Sequence, residues 1–265
     1  MRELLIRALS GLAYIIIVIS SIIYSKETFY LVFFIMMMLC LYELKRLIKL
    51  SYKWTFVVAT LIFFHFTKLP FSDYKYLYFF LIISIFIPFI YQLFKPKISL
   101  TSSKLGHYLL ALAYIALPFA FLIQIPFISN TYHPYILIGI FAIIWLDDTF
   151  AYLVGSSVGR TKLYPKISPN KTVEGAVGGL AAAIAGSYFI SKYIPEISII
   201  NWIVIAIILV VFGLLGDLIE SKFKREAGVK DSSNLIPGHG GFLDRLDSII
   251  FAAPFVYVYL HLINN

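Results

Sequence analysis

The sequence predicts an all-α integral membrane protein: a polytopic bundle of about nine transmembrane helices, with the amino terminus cytoplasmic and the carboxy terminus outside. Three observations predict it. The 265 residues are 60% hydrophobic and only 14% charged, against about 25% charged in an ordinary soluble domain. The mean hydropathy is +0.88. The apolar residues also fall in runs near the ~20 residues that a helix needs to satisfy its own backbone across lipid.

Taken in order, the predicted spans are Ala8 to Tyr24, Phe29 to Leu44, Trp54 to Thr67, Tyr76 to Phe94 and Leu105 to Ile125. They continue with Tyr135 to Val154, Val173 to Ile190, Ile199 to Ile219 and Ser248 to Ile263. The third is short and carries His65. The first follows Arg2 and Arg7 and looks like a signal peptide, but no small-residue cleavage site follows, so it reads as a retained helix. The single cysteine, Cys40, lies in an apolar run and reads as a small buried hydrophobe; one cysteine allows no intrachain disulfide.

With the amino terminus inside, eighteen of the 22 Lys and Arg fall in cytoplasmic segments, Lys53 and Lys97 among them. The other four, Lys26, Lys68, Lys75 and Lys192, fall outside. This asymmetry sets the orientation and places the chain in the cell membrane with its larger polar loops in the cytoplasm. It also accounts for the net charge of +8 without a nucleic acid partner, because the cations are scattered between spans. Acidic residues are distributed differently: ten of 14 lie from Asp147 to Asp247. Residues 1–134 therefore read as scaffold and lipid contact. Residues 135–265 read as the part that carries chemistry, with cytoplasmic loops 155–172 and 220–247.

Three constellations stand out. Asp147 and Asp148 follow Ile143-Ile144-Trp145-Leu146 near the end of the sixth span, where carboxylates are costly in lipid and usually mark a site. The alternative is a helix end with both groups solvated. Gly155 and Gly159 then suit either close helix packing or the approach of a phosphate. The second constellation is the basic loop from Arg160, in which Ser168-Pro169-Asn170 reads as a turn leading into a helix start. Lys171 and Thr172 at that start make an anion site, or else the charge is ordinary positive-inside charge.

The third runs from Gly216 to Asp247. Asp217 closes the eighth span, with Glu220 and Ser221 one turn on. Lys224, Arg225, Lys230 and Asp231 follow, then the helix-breaking run Pro237-Gly238-His239-Gly240-Gly241. Asp244 and Asp247, three apart, share a face of the next helix start. Carboxylates Asp217, Asp244 and Asp247 are hard oxygen ligands that suit Mg²⁺ together with substrate phosphates, which Lys224, Arg225, Lys230 and Arg245 would cradle. His239 is a general base, a ligand or a turn residue on this reading; His65, His107, His133 and His261 are isolated.

These residues resemble the signature of the phosphatidate cytidylyltransferase (CDP-diacylglycerol synthase) family. The matching positions are Ser221, Lys224, Arg225, Lys230, Asp231, His239, Gly240, Gly241, Asp244, Arg245 and Asp247, with no departure in spacing. The block from Asp148 to Gly179, including Ser168-Pro169 and Lys171-Thr172, is also similar. The resemblance implies attack of the phosphate of phosphatidic acid on the α-phosphorus of CTP, giving CDP-diacylglycerol and pyrophosphate, with Mg²⁺ as one ion or two. It implies Asp217, Asp244 and Asp247 as metal ligands, with Asp148 a fourth. Lys171, Lys224, Arg225 and Lys230 would bind phosphates, and His239, Gly240 and Gly241 would shape the turn against the nucleotide. It implies CTP, phosphatidic acid and the bilayer as partners and is compatible with a homodimer. Within enzymes, the alternatives are a CTP-dependent lipid kinase or a CDP-archaeol-type synthase. Outside them it is a transporter, against which stand acids clustered at span ends and the lack of an inverted repeat.

Overall fold

The computed structural model describes residues 2–50, 54–68, 75–95, 103–128 and 131–263. The expected cytoplasmic cations Lys53 and Lys97 lie outside those residues. The described residues are mostly helical. Its helices are α1 (Arg2–Tyr24), α2 (Lys26–Leu47), α3 (Trp54–Phe66), α4 (Lys75–Leu93), α5 (Lys104–Ala111) and α6 (Leu117–Leu122). Then come α7 (Pro134–Val158), α8 (Val173–Tyr193), α9 (Ile199–Glu226) and α10 (Leu243–Ile263). A π turn, Leu112–Ala116, joins α5 to α6, so the two make one span of 19 residues. Among the described residues seven segments are long and apolar enough to cross a membrane; Trp54–Phe66 and Phe80–Leu93 are shorter apolar helices. Each expected span thus coincides with helix, and two of the nine are short.

Two small antiparallel hairpins interrupt the helices: β1 (Phe127–Ile128) with β2 (Thr131–Tyr132), and β3 (Lys162–Tyr164) with β4 (Ser168–Thr172). The second corrects the sequence reading. Ser168-Pro169-Asn170 is not a turn but the start of β4, because Thr172 pairs back across to Lys162. The helix start was placed correctly: Thr172 is the N-cap of α8, and its Oγ1 accepts the N–H of Gly175 at 3.1 Å.

Helix α9 runs seven residues past the expected end of its span, and α10 starts five residues earlier than expected. Hydropathy stops where charge begins, but a helix does not, provided its polar side chains find partners. The loops 155–172 and 220–247 are correspondingly shorter, since 155–158, 220–226 and 243–247 are helical. Ser221, Lys224 and Arg225 sit on α9 rather than in a loop, and Asp244 and Asp247 sit on the first turns of α10.

Helices α7 to α10 pack on one another, and α10 also contacts α2, α4 and α6. Helix α1 lies against α2 and α7. The π turn has a local cause in Pro118, which has no N–H to donate to the carbonyl four residues back. It carries the buried Tyr114, whose hydroxyl donates to the carbonyl of Gly216 at 3.3 Å, one residue before Asp217. Lys222 is buried and donates to the carbonyls of Gln92 (2.6 Å) and Lys95 (2.5 Å), closing the carboxy-terminal end of α4 with a cation. Cys40 is buried, as expected.

Candidate active site

The site forms where the ends of α7, α9 and α10 meet the β3–β4 hairpin. Close packing comes first. A Cβ at Gly155 would lie 2.9 Å from Thr172 Oγ1, and one at Gly175 would lie 2.7 Å from the carbonyl of Ala151. These glycines therefore let α7 and α8 touch, which is the packing role foreseen for Gly155. The Glu174 carboxylate accepts the backbone N–H groups of Arg160 and Thr161 at 3.1 and 3.0 Å, tying the hairpin to the first turn of α8.

This packing delivers Lys171 from β4 to the inner end of α9, where its ammonium pairs with Asp217. Asp217 also accepts the hydroxyl of Ser221 at 3.1 Å. Burial works against the charge on Lys171, but Asp217 outweighs it, assisted by Asp247 and Asp148, so the ammonium is held above its ordinary lysine value. One carboxylate thus pairs with the cation, and two more, from two other helices, act on its charge. A cavity of about 630 Å³ opens beside them, lined by Asp147, Asp148, Asn170, Lys171, Thr172 and Asp217 among others. A smaller cavity of about 190 Å³, lined by Tyr14, His239, Arg245 and Asp247 among others, lies behind. Asp148 and Ser248 line both cavities and so form the wall between them.

Asp244 has a different setting. Its Oδ1 lies 2.6 Å from Lys224 Nζ, and its Oδ2 accepts the Ser232 N–H (2.9 Å), the Ser232 hydroxyl (2.7 Å) and the Gly241 N–H (2.7 Å). Lys224 is shared with Glu220, the buried carboxylate one turn back on α9. Lys224 is thus held between two carboxylates and lines neither of these cavities.

The glycine turn is held in the left-handed region at Gly238 (φ +75°) and Gly240 (φ +84°). The Ile236 N–H bonds the Gly240 carbonyl at 2.8 Å, and Arg245 grips the His239 carbonyl through Nε (3.2 Å) and Nη2 (3.0 Å). His239 Nδ1 shares a hydrogen bond with Ser10 of α1 at 2.8 Å. Burial, then the charges of Arg245 and Arg7, hold its imidazole below the ordinary histidine value.

Other expected site residues lie apart. Arg225 is exposed and donates to the carbonyls of Ile167 (3.2 Å) and Val229 (3.3 Å), bracing the hairpin loop. Lys230 and Asp231 are exposed on the turn after α9 and line neither cavity. Among the described residues no group of three or more His, Cys, Asp or Glu side chains forms a preassembled metal cage. The donor chemistry nevertheless fits a hard cation at Lys171, where Asp148, Asp217 and Asp247 bear on one positive charge. It fits poorly at Asp244, whose oxygens are already taken up.

Sequence reasoning missed Glu43. This fully buried carboxylate near the end of α2 accepts hydrogen bonds from the far part of the chain, from Ser233 Oγ (2.6 Å), Phe242 N (3.0 Å) and Leu243 N (2.8 Å), and shares the one proton of the Ser232 hydroxyl (2.8 Å) with Asp244. It anchors the start of α10 and the loop before it. The signal was present, since an acid within a predicted span marks a specific partner. Neighbouring Lys45 and Arg46 made it look like interfacial charge.

The chain is similar to known proteins. A model of the cytidylyltransferase family matches residues 5–263. A Bacillus subtilis protein named phosphatidate cytidylyltransferase is 44% identical over 170 residues, covering 63% of this chain and 62% of that protein. A Staphylococcus saprophyticus protein of the same name is 46% identical over 154 residues, 57% of each chain. A Haemophilus influenzae protein, also so named, is 41% identical over 159 residues, 53% of this chain and 55% of its own. The aligned stretch spans less than two thirds of each relative.

Proposed function

The chain belongs to the cytidylyltransferase family, and on that premise we propose that it is a phosphatidate cytidylyltransferase, making CDP-diacylglycerol and pyrophosphate from CTP and phosphatidic acid. The observation that carries the reading is the convergence of Asp148, Asp217 and Asp247 on Lys171 beside a cavity of about 630 Å³. A triphosphate brings several negative charges, and such a site can meet them only with cations. Mg²⁺ held by Asp217 and Asp247, with Asp148 beside them, would supply charge neutralisation for the phosphates.

An oxygen of the lipid phosphate attacks the α-phosphorus of CTP, the bond from that phosphorus to the bridging oxygen breaks, and pyrophosphate leaves with the electron pair. The nucleophile is already anionic near neutral pH, because a phosphate monoester has its second pKa near ~6. No strong base is required. His239, tied to Ser10 and held below the ordinary histidine value, shapes the turn instead. Lys171 would release Asp217 to the metal and turn to the phosphates. Asp244 is then a structural acid that fixes Lys224 and the glycine turn, not a metal ligand.

We place the site on the cytoplasmic face, where CTP is found, with nine spans and the amino terminus inside. The 18 cations on the inner side of that topology support it. The test is direct. Purified protein incubated with labelled CTP, phosphatidic acid and Mg²⁺ yields labelled CDP-lipid; absence of product over a range of lipids and metals rejects the assignment.

A further inference from the structure

An apolar groove runs down the outside of the bundle from the smaller cavity. One wall is a stripe on α1, Ser10, Ala13, Tyr14 and Ile17, at helical spacings of three and four. The facing wall is the matching stripe on α2, Val32, Ile35, Met36 and Leu39. Leu235, Ile236, Pro237 and Phe242 of the glycine-turn region close the end nearest the site. The groove encloses about 370 Å³. Tyr14 and Ile236 line both this groove and the smaller polar cavity, so the two adjoin at these residues.

Three features at the junction point to an amphipathic occupant. The Tyr14 hydroxyl is buried and has no hydrogen-bond partner among the described residues, although a buried hydroxyl without one is costly. Two guanidinium groups flank the turn: Arg245 lines the polar cavity, and Arg7 lies where a Cβ on Gly238 would come within 2.6 Å of its Cγ. Away from the junction the groove is apolar, with Ile17 52% and Ile35 48% exposed. Anion-binding groups at one end, an unmet polar group at the boundary and an open apolar channel beyond match an anionic lipid laid lengthwise.

We propose that this groove seats an acyl chain of the phosphatidic acid substrate, with the Tyr14 hydroxyl donating to a glycerol ester oxygen at the boundary. The inference rests on the cytidylyltransferase reading and deepens it. The lipid phosphate enters the smaller cavity near Arg245. It meets the nucleotide, held in the larger cavity, at the wall formed by Asp148 and Ser248. Helix α1 is then part of the lipid site, and its Ser10–His239 bond fixes the groove to the turn.

The decisive experiment uses the full-length protein in phosphatidylethanolamine vesicles and a phosphatidic acid with a diazirine near one acyl terminus. Photolabel concentrates on residues 10–17 and 32–39, and excess phosphatidic acid removes it while excess phosphatidylethanolamine does not. Label spread over the lipid-facing helices, or displaced equally by both lipids, shows annular lipid only and overturns the proposal. Kinetics give a second reading. Ile35→Trp fills the groove and raises the KM for dioleoyl phosphatidic acid about tenfold, leaving that for the dioctanoyl lipid and for CTP unchanged. Tyr14→Phe raises the KM for both lipids about fivefold and leaves that for CTP unchanged. Unaltered lipid KM values in both variants also overturn it. The two readings fail separately: CDP-lipid formation with label elsewhere removes the seat and keeps the reaction. Selective label at the groove with no CDP-lipid keeps an anionic-lipid seat and removes the reaction.

Discussion

Lys171 and Asp247 set the charge balance of the site from opposite sides. Asp247 is nearly buried, its Oδ1 accepts the Ser248 N–H at 2.7 Å, and it shares the Lys171 charge with Asp148 and Asp217. Asp247→Asn keeps the size and the acceptor while removing the charge. Turnover is expected to fall by at least about a hundredfold, as when one preorganised electrostatic group is lost, with the amount of folded, detergent-extracted protein unchanged. Near-normal turnover would take Asp247 out of the metal set. His239 is expected to behave otherwise. Removal of a general base costs about 10²- to 10⁴-fold, whereas His239→Gln should cost less than about tenfold in kcat and leave the acid limb of the pH–rate profile in place. The same variant has a signature in stability. Burial, Arg245 and Arg7 disfavour the imidazolium in the folded state, so the unfolded chain binds the proton more readily. That contribution is fully present above the ordinary histidine value of about 6.5 and is lost as pH falls through the lowered one. The melting temperature of His239→Gln should therefore drop less than that of the parent between about pH 7 and about pH 5, by thermal unfolding in detergent.

Elements act here through their ends, and so the sequence showed some of them and hid others. Apolar runs located every described helix, because lipid demands them. The acid-, base- and glycine-rich motifs pointed to several of the residues that line the two cavities for the same reason, since such residues survive in an apolar protein only where they have partners. The strand β4 was hidden because its pairing to Lys162 lies across a loop and not along the chain. The partition of acids was hidden too. Asp244 and Asp247 are one helical turn apart, and only the Ser232 and Gly241 donors reveal that Asp244 belongs to the turn. Glu43 is the clearest case, because its donors, one of them a hydroxyl shared with Asp244, lie 189 to 200 residues further along the chain. With two backbone N–H groups at the start of α10 and two hydroxyls directed at it, Glu43→Gln turns an all-acceptor group into one that presents N–H to donors. Each mismatched buried group costs about 1–3 kcal/mol, so the variant should melt several degrees lower. The KM for CTP should rise with it, since the turn and Asp247 share the anchored segment. A variant that melts and binds CTP like the parent would show that α10 is held by packing alone.

At the scale of the whole molecule, the proposed reaction requires the larger cavity to face the compartment that holds CTP, and the charge distribution supports that orientation. Eighteen of 22 Lys and Arg fall on one side of a nine-span topology, and the two short helices, α3 and α4, are essential to that count. If α3 and α4 dipped into the membrane as a re-entrant pair and did not cross, the parity from α5 onward would be kept, because two crossings would be lost together. If only one crossed, the hairpin at Lys166 and the loop at Lys192 would exchange sides. Both residues are exposed and lie at opposite ends of α8, and the single native cysteine, Cys40, is buried and silent to aqueous reagents. Lys166→Cys and Lys192→Cys therefore form a matched pair. In intact cells a membrane-impermeant maleimide should label only Lys192→Cys, and in inverted membrane vesicles only Lys166→Cys. The reverse pattern would put the carboxylates and Lys171 on the face without nucleotide and would reject the orientation together with the even number of crossings before α8. The expected pattern leaves the Asp148–Asp217–Asp247 cluster reachable by CTP from the aqueous side. With the proposed lipid seat in the α1–α2 groove, the two substrates would approach along different directions and meet at one wall.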